Sequence, residues 1–238
     1  MKILAFDSTA KAASAAVCED EKLLALYNVD NGLTQSELLL PMIENLLASL
    51  KLQYSDIDIF ATSTGPGSFT GVRIGVALLK GIAFGREAAC VGVSTLEALA
   101  ENAKGLSGLI VPVMDARRNE FYNAIFRFDG GELKRLTPDR AISADELARE
   151  LIALGEEIHL TGDGYDVAVK LLTERGVTLS ETPVLLRNEN AYSIATLALK
   201  KYKNGEITSD SEIMPTYLRL PQAERERLER LKMKGDEK

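Results

Sequence analysis

The chain has 238 residues, 46% hydrophobic and 26% charged, with a formal net charge of −7 from 28 basic and 35 acidic residues. This length suits one or two domains with a full core, and the acidic balance argues against a chain that holds tRNA alone through concentrated lysine and arginine. Two cysteines, Cys18 and Cys90, give little support for a disulfide scaffold and read as buried free thiols.

Residues Lys2–Asp7, Ser14–Cys18 and Leu23–Val29 read as three strands with short polar connections, as in antiparallel hairpins. The first strand begins at once, with no leader pattern before it. No apolar run approaches the roughly 20 residues that cross a bilayer, so a cytoplasmic protein is expected. Thr34 and Glu37 form a capping box before Leu38, Leu39, Met42, Ile43, Leu46, Leu47 and Leu50. Pro41 either opens that helix near its first turn or interrupts one begun at Gln35.

A strand over Asp58–Ser63 leads into Gly65-Pro66-Gly67-Ser68-Phe69-Thr70-Gly71-Val72-Arg73-Ile74-Gly75. Three glycines and a proline carry the chain through a tight reversal, and Ser68 is placed to cap a helix running to about Gly85. A phosphate cradle is the first reading of strand, glycine turn and helix. Gly71 is followed by Val72-Arg73 rather than Lys-Ser/Thr, and the dinucleotide fingerprint lacks its third small residue and its ribose acid. What remains for an anion is the set of free amides at Ser68–Thr70. The helix is apolar nearly all round, which requires cover on more than one side. Gly71, Gly75, Gly81 and Gly85 are read as permitting close helix–helix approach, offsetting about 1 kcal/mol each relative to alanine.

A strand Ala89–Val93 and a capping box Ser94/Glu97 opening Thr95–Asn102 complete a β-β-β-α-β-α-β-α order, that of a ribonuclease-H-like half. The second half repeats the first in shorter form. Leu109–Asp115 echoes Ile3–Asp7, Glu120–Phe128 reads as one strand, and Asp129-Gly-Gly131 as a hairpin turn. Ser143/Glu146 caps a helix stopped by Gly155, Ile158–Thr161 is a short strand, and helices fall at Val167–Arg175 and Ala191–Lys203. The expected fold is α/β: two tandem ribonuclease-H-like halves of the actin, sugar-kinase and heat-shock type, with mixed sheets flanked by helices and the second half abbreviated. Residues 1–105 and 106–220 form the halves, and 221–238 a tail with six basic and five acidic residues, read as a solvated end.

The Gly65–Gly75 stretch resembles the signature of the TsaB (YeaZ) family, non-catalytic subunits of the bacterial complex that makes threonylcarbamoyladenosine beside the tRNA anticodon. Further similarity lies in Ile3–Thr9, Ser36–Pro41, Val93–Leu99, Met114–Arg117 with Glu120–Tyr122, and Pro215–Arg219. Gln35 stands where the family commonly has histidine. The resemblance implies a TsaD-type catalytic partner of the same fold and a homodimer through the same patch. It admits a TsaE-type ATPase subunit as a third member, and tRNA contact only through the complex, with no cofactor on this chain.

Catalytic readings find few residues. His159 is the only histidine, so neither a histidine-paired metal site nor a Ser-His-Asp triad is built. Asp7, Ser8 and Thr9, with Asp115 and Arg117, are candidate cleft residues, joined by Asp163 in a nuclease or phosphotransferase reading. Asp7 reads better as a carboxylate capping its own turn. What remains is a surface made by Leu38, Leu39, Met42, Ile43 and Leu46 of one helix with Arg73, Ile74, Ala77, Leu78 and Lys80 of the other. Such a pair is half of a four-helix bundle. An ATP-binding phosphotransferase or ATPase of the actin-like superfamily is the alternative.

Overall fold

The computed structural model describes residues 1–219. The first sheet holds β1 (Lys2–Asp7), β2 (Ala13–Glu19), β3 (Lys22–Val29), β4 (Ile59–Gly65) and β5 (Ala89–Ser94), in the order β3-β2-β1-β4-β5. β1, β4 and β5 run parallel, and β2 and β3 antiparallel. Both faces of this sheet are covered, which explains the near-continuous apolar run of β1. Leu4 and Phe6 point to one core and Ile3 and Ala5 to the other, following the period of two.

Against the Leu4/Phe6 face pack α1 (Gln35–Leu50) and α2 (Phe69–Ala83). α1 begins where its capping box places it: the Glu37 carboxylate accepts from the Thr34 amide at 2.9 Å. Pro41 lies inside the helix on its exposed side. Against the Ile3/Ala5 face pack α3 (Thr95–Asn102) and α6 (Ala191–Lys203), whose Ile194, Ala195 and Ala198 are buried there.

In the second sheet β6 (Leu109–Asp115) lies parallel to β11 (Ile158–Thr161) and antiparallel to β7 (Glu120–Asn123) and β8 (Phe126–Asp129). β9 (Glu132–Arg135) and β10 (Arg140–Ser143) pair with β8 and β7. α4 (Ala144–Leu154) and α5 (Tyr165–Thr173) cover one face. Leu96, Leu99 and Ala100 of α3 cover the other, so α3 is wedged between the two sheets.

Several expectations are corrected. The single strand Glu120–Phe128 is two, because the Ile125 amide donates to Thr137 Oγ1 and its carbonyl accepts from Leu136 and Thr137, drawing it out of the ladder. The Ser94/Glu97 box is half formed: Ser94 Oγ accepts from the Glu97 amide, but Glu97 turns to Arg135 at 3.5 Å. α6 returns to the first sheet, Thr208 bridges to Cys90 of β5, and Ile213 enters the core under α1 and α2. Cys18 and Cys90 are buried free thiols, each pushed up to about 11 by burial. The charged tail lies outside the described residues.

The four glycines of the α2 stretch do not share one face. A Cβ at Gly71 would stand 2.0 Å from the Ser8 carbonyl oxygen, and one at Gly75 would stand 2.6 Å from Ser8 Oγ, whereas Gly81 and Gly85 face open space. The first two admit close approach to the chain's own β1–β2 loop rather than to a partner helix. Gly71→Ala is therefore expected to lower stability by more than about 2 kcal/mol. Gly81→Ala should raise it by roughly 0.5–1 kcal/mol through helix propensity alone. Urea unfolding of both variants checks the contrast, and equal effects would refute the assignment.

Candidate functional site

The glycine turn is locked to its surroundings by backbone bonds. The Ser68 amide donates to the Thr9 carbonyl at 2.7 Å, and the Thr216 amide to the Thr64 carbonyl at 2.7 Å. Ser68 Oγ accepts from the Gly71 amide at 3.3 Å, and Ser8 Oγ donates to the Gly71 carbonyl at 2.9 Å. Gly65 has φ +115°, and a Cβ there would meet the Thr216 carbonyl oxygen at 2.5 Å. A Cβ at Gly67 would meet the Thr9 carbonyl oxygen at 2.6 Å. The anion reading loses the Ser68 amide, which is spent on Thr9.

With α2 seated this way, Val72, Val76, Leu79 and Ile82 turn inward. Arg73 and Ala77 are exposed, Ile74 and Leu78 half-buried, and Phe84, just past the helix, is 79% exposed. On α1 the expected surface positions Leu39, Met42, Ile43 and Leu46 are instead buried in the chain's own core, and Leu38 is half-buried. The outward stripe of α1 is Glu37, Leu40, Pro41 and Glu44, with Leu40 39% exposed and Leu33, before the helix, 51%. Helical periodicity permits either stripe; the sheet underneath selects the first.

Arg73 and Lys80 are surface residues engaged by the segment Ile213–Arg219 and its approach. The Arg73 guanidinium lies 3.8 Å from the centre of the Phe69 ring, and its Nε donates to Tyr217 Oη at 2.8 Å. Tyr217 stacks on Phe69 at 4.8 Å. Lys80 Nζ donates to the Ser211 carbonyl at 2.9 Å. Arg219 reaches the other half, pairing with Glu120 at 2.7 Å.

Between the two sheets lies a polar junction. Asp7 Oδ1 accepts from the Thr9 amide at 2.8 Å, and Asp115 Oδ1 from the Arg117 amide at 2.7 Å. Each aspartate closes the turn after its own strand two residues on, so the sequence echo of β1 in β6 becomes the same Asx turn. Arg117, Arg118 and Asn119 follow with φ of +65°, +56° and +58°. Asp163 Oδ1 accepts from the Asp115 amide at 3.3 Å.

Burial lifts the Asp7 carboxyl above the usual range against the lowering effect of Thr9. At the mouth of the junction, crowding by its walls and the charges of Asp115 and Asp7 push Asp163 up to about 6. Glu189, 3% exposed, stands well above the usual range through burial and then the charges of Asp163 and Asp7. Its Oε1 has no hydrogen-bond partner among the described residues. Glu189 was not among the expected site residues; no local pattern marks it, since Asn-Glu-Asn reads as an ordinary loop. Among the described residues no group of three His, Cys, Asp or Glu is arranged to hold a metal ion.

Comparison with known proteins decides the family. The model described as "TsaD: tRNA N6-adenosine threonylcarbamoyltransferase" matches residues 34–227. A "tRNA threonylcarbamoyladenosine biosynthesis protein TsaB" of Escherichia coli (strain K12) is 31% identical over 222 residues, 92% of this chain and 95% of that one. The chain belongs to the TsaB family.

A second TsaB, from Bacillus subtilis (strain 168), is 29% identical over 94% of this chain and 96% of its own. The solved structure of YeaZ from Pseudomonas aeruginosa superposes with a TM-score of 0.75 at 26% identity, covering 91% of this chain and 99% of that one. Another, described as "an uncharacterized protein with similarity to peptidase YEAZ", gives 0.78 at 27% identity, covering 92% and 99%. In this TsaB-family chain His159 is buried in β11, with Nε2 3.3 Å from Glu157. It is a strand residue of the second sheet. No helix of the described residues is long and apolar enough to cross a membrane.

Glu189 sets a pH dependence whose sign follows from its raised value. The folded chain holds a proton that the unfolded chain, with an ordinary glutamate near pH 4.3, releases. Stability from this group is full below about pH 4 and is lost as the pH climbs through the folded value. Glu189→Gln is expected to raise the unfolding midpoint at pH 8, with the gain vanishing near pH 4. Thermal unfolding across that range checks it, and a gain independent of pH would refute the assignment.

Proposed function

We propose that this TsaB-family chain is a non-catalytic scaffold in tRNA threonylcarbamoyladenosine formation, acting in the cytoplasm. It docks and activates a TsaD-type catalytic subunit through the outward stripes of α1 and α2. The same face closes on a second copy when the catalytic subunit is absent. The catalytic subunit supplies cofactor and transfer chemistry, tRNA is reached only through the assembly, and a TsaE-type ATPase subunit can join it. One observation carries this reading: α1, α2 and their flanks leave Leu33, Leu40, Ile74, Ala77, Leu78 and Phe84 exposed or half-buried. Apolar side chains left uncovered together in this way suit a protein interaction site.

The competing reading, an ATP-binding phosphotransferase, requires Asp7 to meet a metal–nucleotide. Asp7 is fully buried, and its carboxylate is taken by the Thr9 amide and hydroxyl. Titration of the isolated chain with ATP and magnesium separates the two, and micromolar binding would favour the enzyme.

Ala77→Asp places a charge at the middle of the exposed stripe. It is expected to abolish co-purification with a TsaD-type subunit and to reduce threonylcarbamoyl transfer to the level without this chain, while circular dichroism and thermal midpoint stay close to the parent. Leu39→Asp instead unfolds the chain, because Leu39 is 1% exposed. Retention of the complex by folded Ala77→Asp would defeat the reading.

A further inference from the structure

A cleft of about 400 Å³ opens at the end of α2 away from the glycine turn. It is lined by Glu44, Leu47 and Ala48 of α1, by Leu52 and Tyr54 just beyond them, and by Arg86 past the end of α2. Tyr54 precedes the amino end of β4, whereas the polar junction gathers at the carboxyl ends of the strands, so the cleft is a separate place in the fold. A cavity of this size falls in the range that holds small ligands.

Its walls are built by specific bonds. Lys51 takes φ +54°, and the Leu52 amide donates to the Leu47 carbonyl at 3.0 Å, folding the chain back over the end of α1. The Asp56 carboxylate accepts from the Gln53 amide at 2.8 Å and closes the single turn Tyr54–Asp56 that carries the tyrosine. Arg86 Nε donates to the Ile82 carbonyl at 2.6 Å, and its guanidinium stands 5.6 Å from the centre of the Tyr54 ring. Side chains fixed beforehand lose less freedom when a ligand arrives.

The lining is apolar between two opposite charges. Leu47 is buried and Leu52 half-buried. Among the described residues Glu44 meets no base and Arg86 no carboxylate, although both line the same cleft. Tyr54 feels both of them: burial lifts its hydroxyl above the usual range, Glu44 raises it further and Arg86 draws it down. At neutral pH that hydroxyl keeps its proton and can donate it. Its oxygen is buried and has no hydrogen-bond partner among the described residues. A hydroxyl left in that state costs free energy that an incoming acceptor returns.

We infer that this cleft binds a small zwitterion with an apolar body, an amino acid or a dipeptide. Arg86 and the Tyr54 hydroxyl take its carboxylate, Glu44 takes its ammonium, and Leu47, Ala48 and Leu52 take the apolar body. A phosphate would bring a double negative charge beside Glu44, and a plain aliphatic acid would leave Glu44 without a counter-charge. Once bound, the zwitterion clasps the last turn of α1 to the end of α2, and it stabilises the chain in proportion to its occupancy.

Calorimetric titration of the full chain tests this, with amide NMR shifts to locate the site. The probes are L-leucine, alanyl-leucine, 4-methylpentanoate (leucine without its ammonium) and isopentylamine (leucine without its carboxylate). One or both zwitterions should bind with a dissociation constant below about 1 mM, and each single-charge probe about tenfold more weakly or worse. The tighter zwitterion identifies the source, free amino acid or dipeptide. Shifts should centre on residues 44–56 and 82–88. Arg86→Gln and Glu44→Gln should each weaken the zwitterion about tenfold, while Glu44→Gln binds 4-methylpentanoate no more weakly than the parent. Tyr54→Phe should weaken it about threefold or more with the thermal midpoint of the free chain undiminished, because the lost hydroxyl had no partner to lose. No saturable binding of either zwitterion by about 10 mM would overturn the inference. So would shifts centred elsewhere, single-charge probes that bind as tightly, or Arg86→Gln with parental affinity.

Discussion

The approach of the α2 N-terminus to the Ser8–Thr9 loop is the constraint on which the rest depends. There is no room at Gly71 for a single carbon, since the Ser8 carbonyl oxygen would lie 2.0 Å away. Contact this close, with the Ser68 amide on the Thr9 carbonyl and Ser8 Oγ on the Gly71 carbonyl, fixes the rotation of α2 about its axis. Once Gly71 and Gly75 face the sheet, the 100° step per residue leaves Arg73, Ile74, Ala77 and Leu78 to look outward or sideways. The glycine signature thus acts at a distance, by aiming a helix face.

The same geometry explains what was legible in the sequence. Strands were readable where both sheet faces are buried, because β1 and β6 present unbroken apolar runs. Helix starts were readable at Thr34 and Ser143, where the cap and its glutamate lie three residues apart and the signal is local. The Asx role of Asp7 was readable for the same reason. The inward stripe of α1 was not, because Leu38-Leu39-Leu40 is apolar on every side and only the sheet beneath decides which leucine is buried. α6 was legible as a helix over its full length but not as part of the first half, since its partners Ile3, Ala5 and Val91 lie 100 residues or more away in the chain. The break at Ile125 depends on Thr137, and the burial of Glu189 on two sheets meeting. Neither leaves a local trace.

The segment Ile213–Arg219 shows how distant residues complete the surface. Its Thr216 backs the glycine turn, its Tyr217 joins Phe69 and Arg73 in one stack, and its Arg219 pairs with Glu120 of the second sheet. A cation over an aromatic face contributes more when its water is stripped away, as it would be beneath a bound partner. The arrangement ties the outward face of α2 to the second half through one short run of chain.

The junction between the sheets is held differently. Asp7 and Asp115 sit at equivalent strand ends, where a carboxylate facing open space would be poised to meet a ligand. Here each is turned back on the amide two residues ahead. A carboxylate bonded to its own turn gives that turn rigidity. Glu189, buried behind them with one oxygen unpartnered, is tolerable only in its neutral form. Burying it among aspartates costs stability at neutral pH. The polar strand ends of this two-sheet fold close their own turns, while the outward sides of α1 and α2 keep apolar and charged side chains exposed.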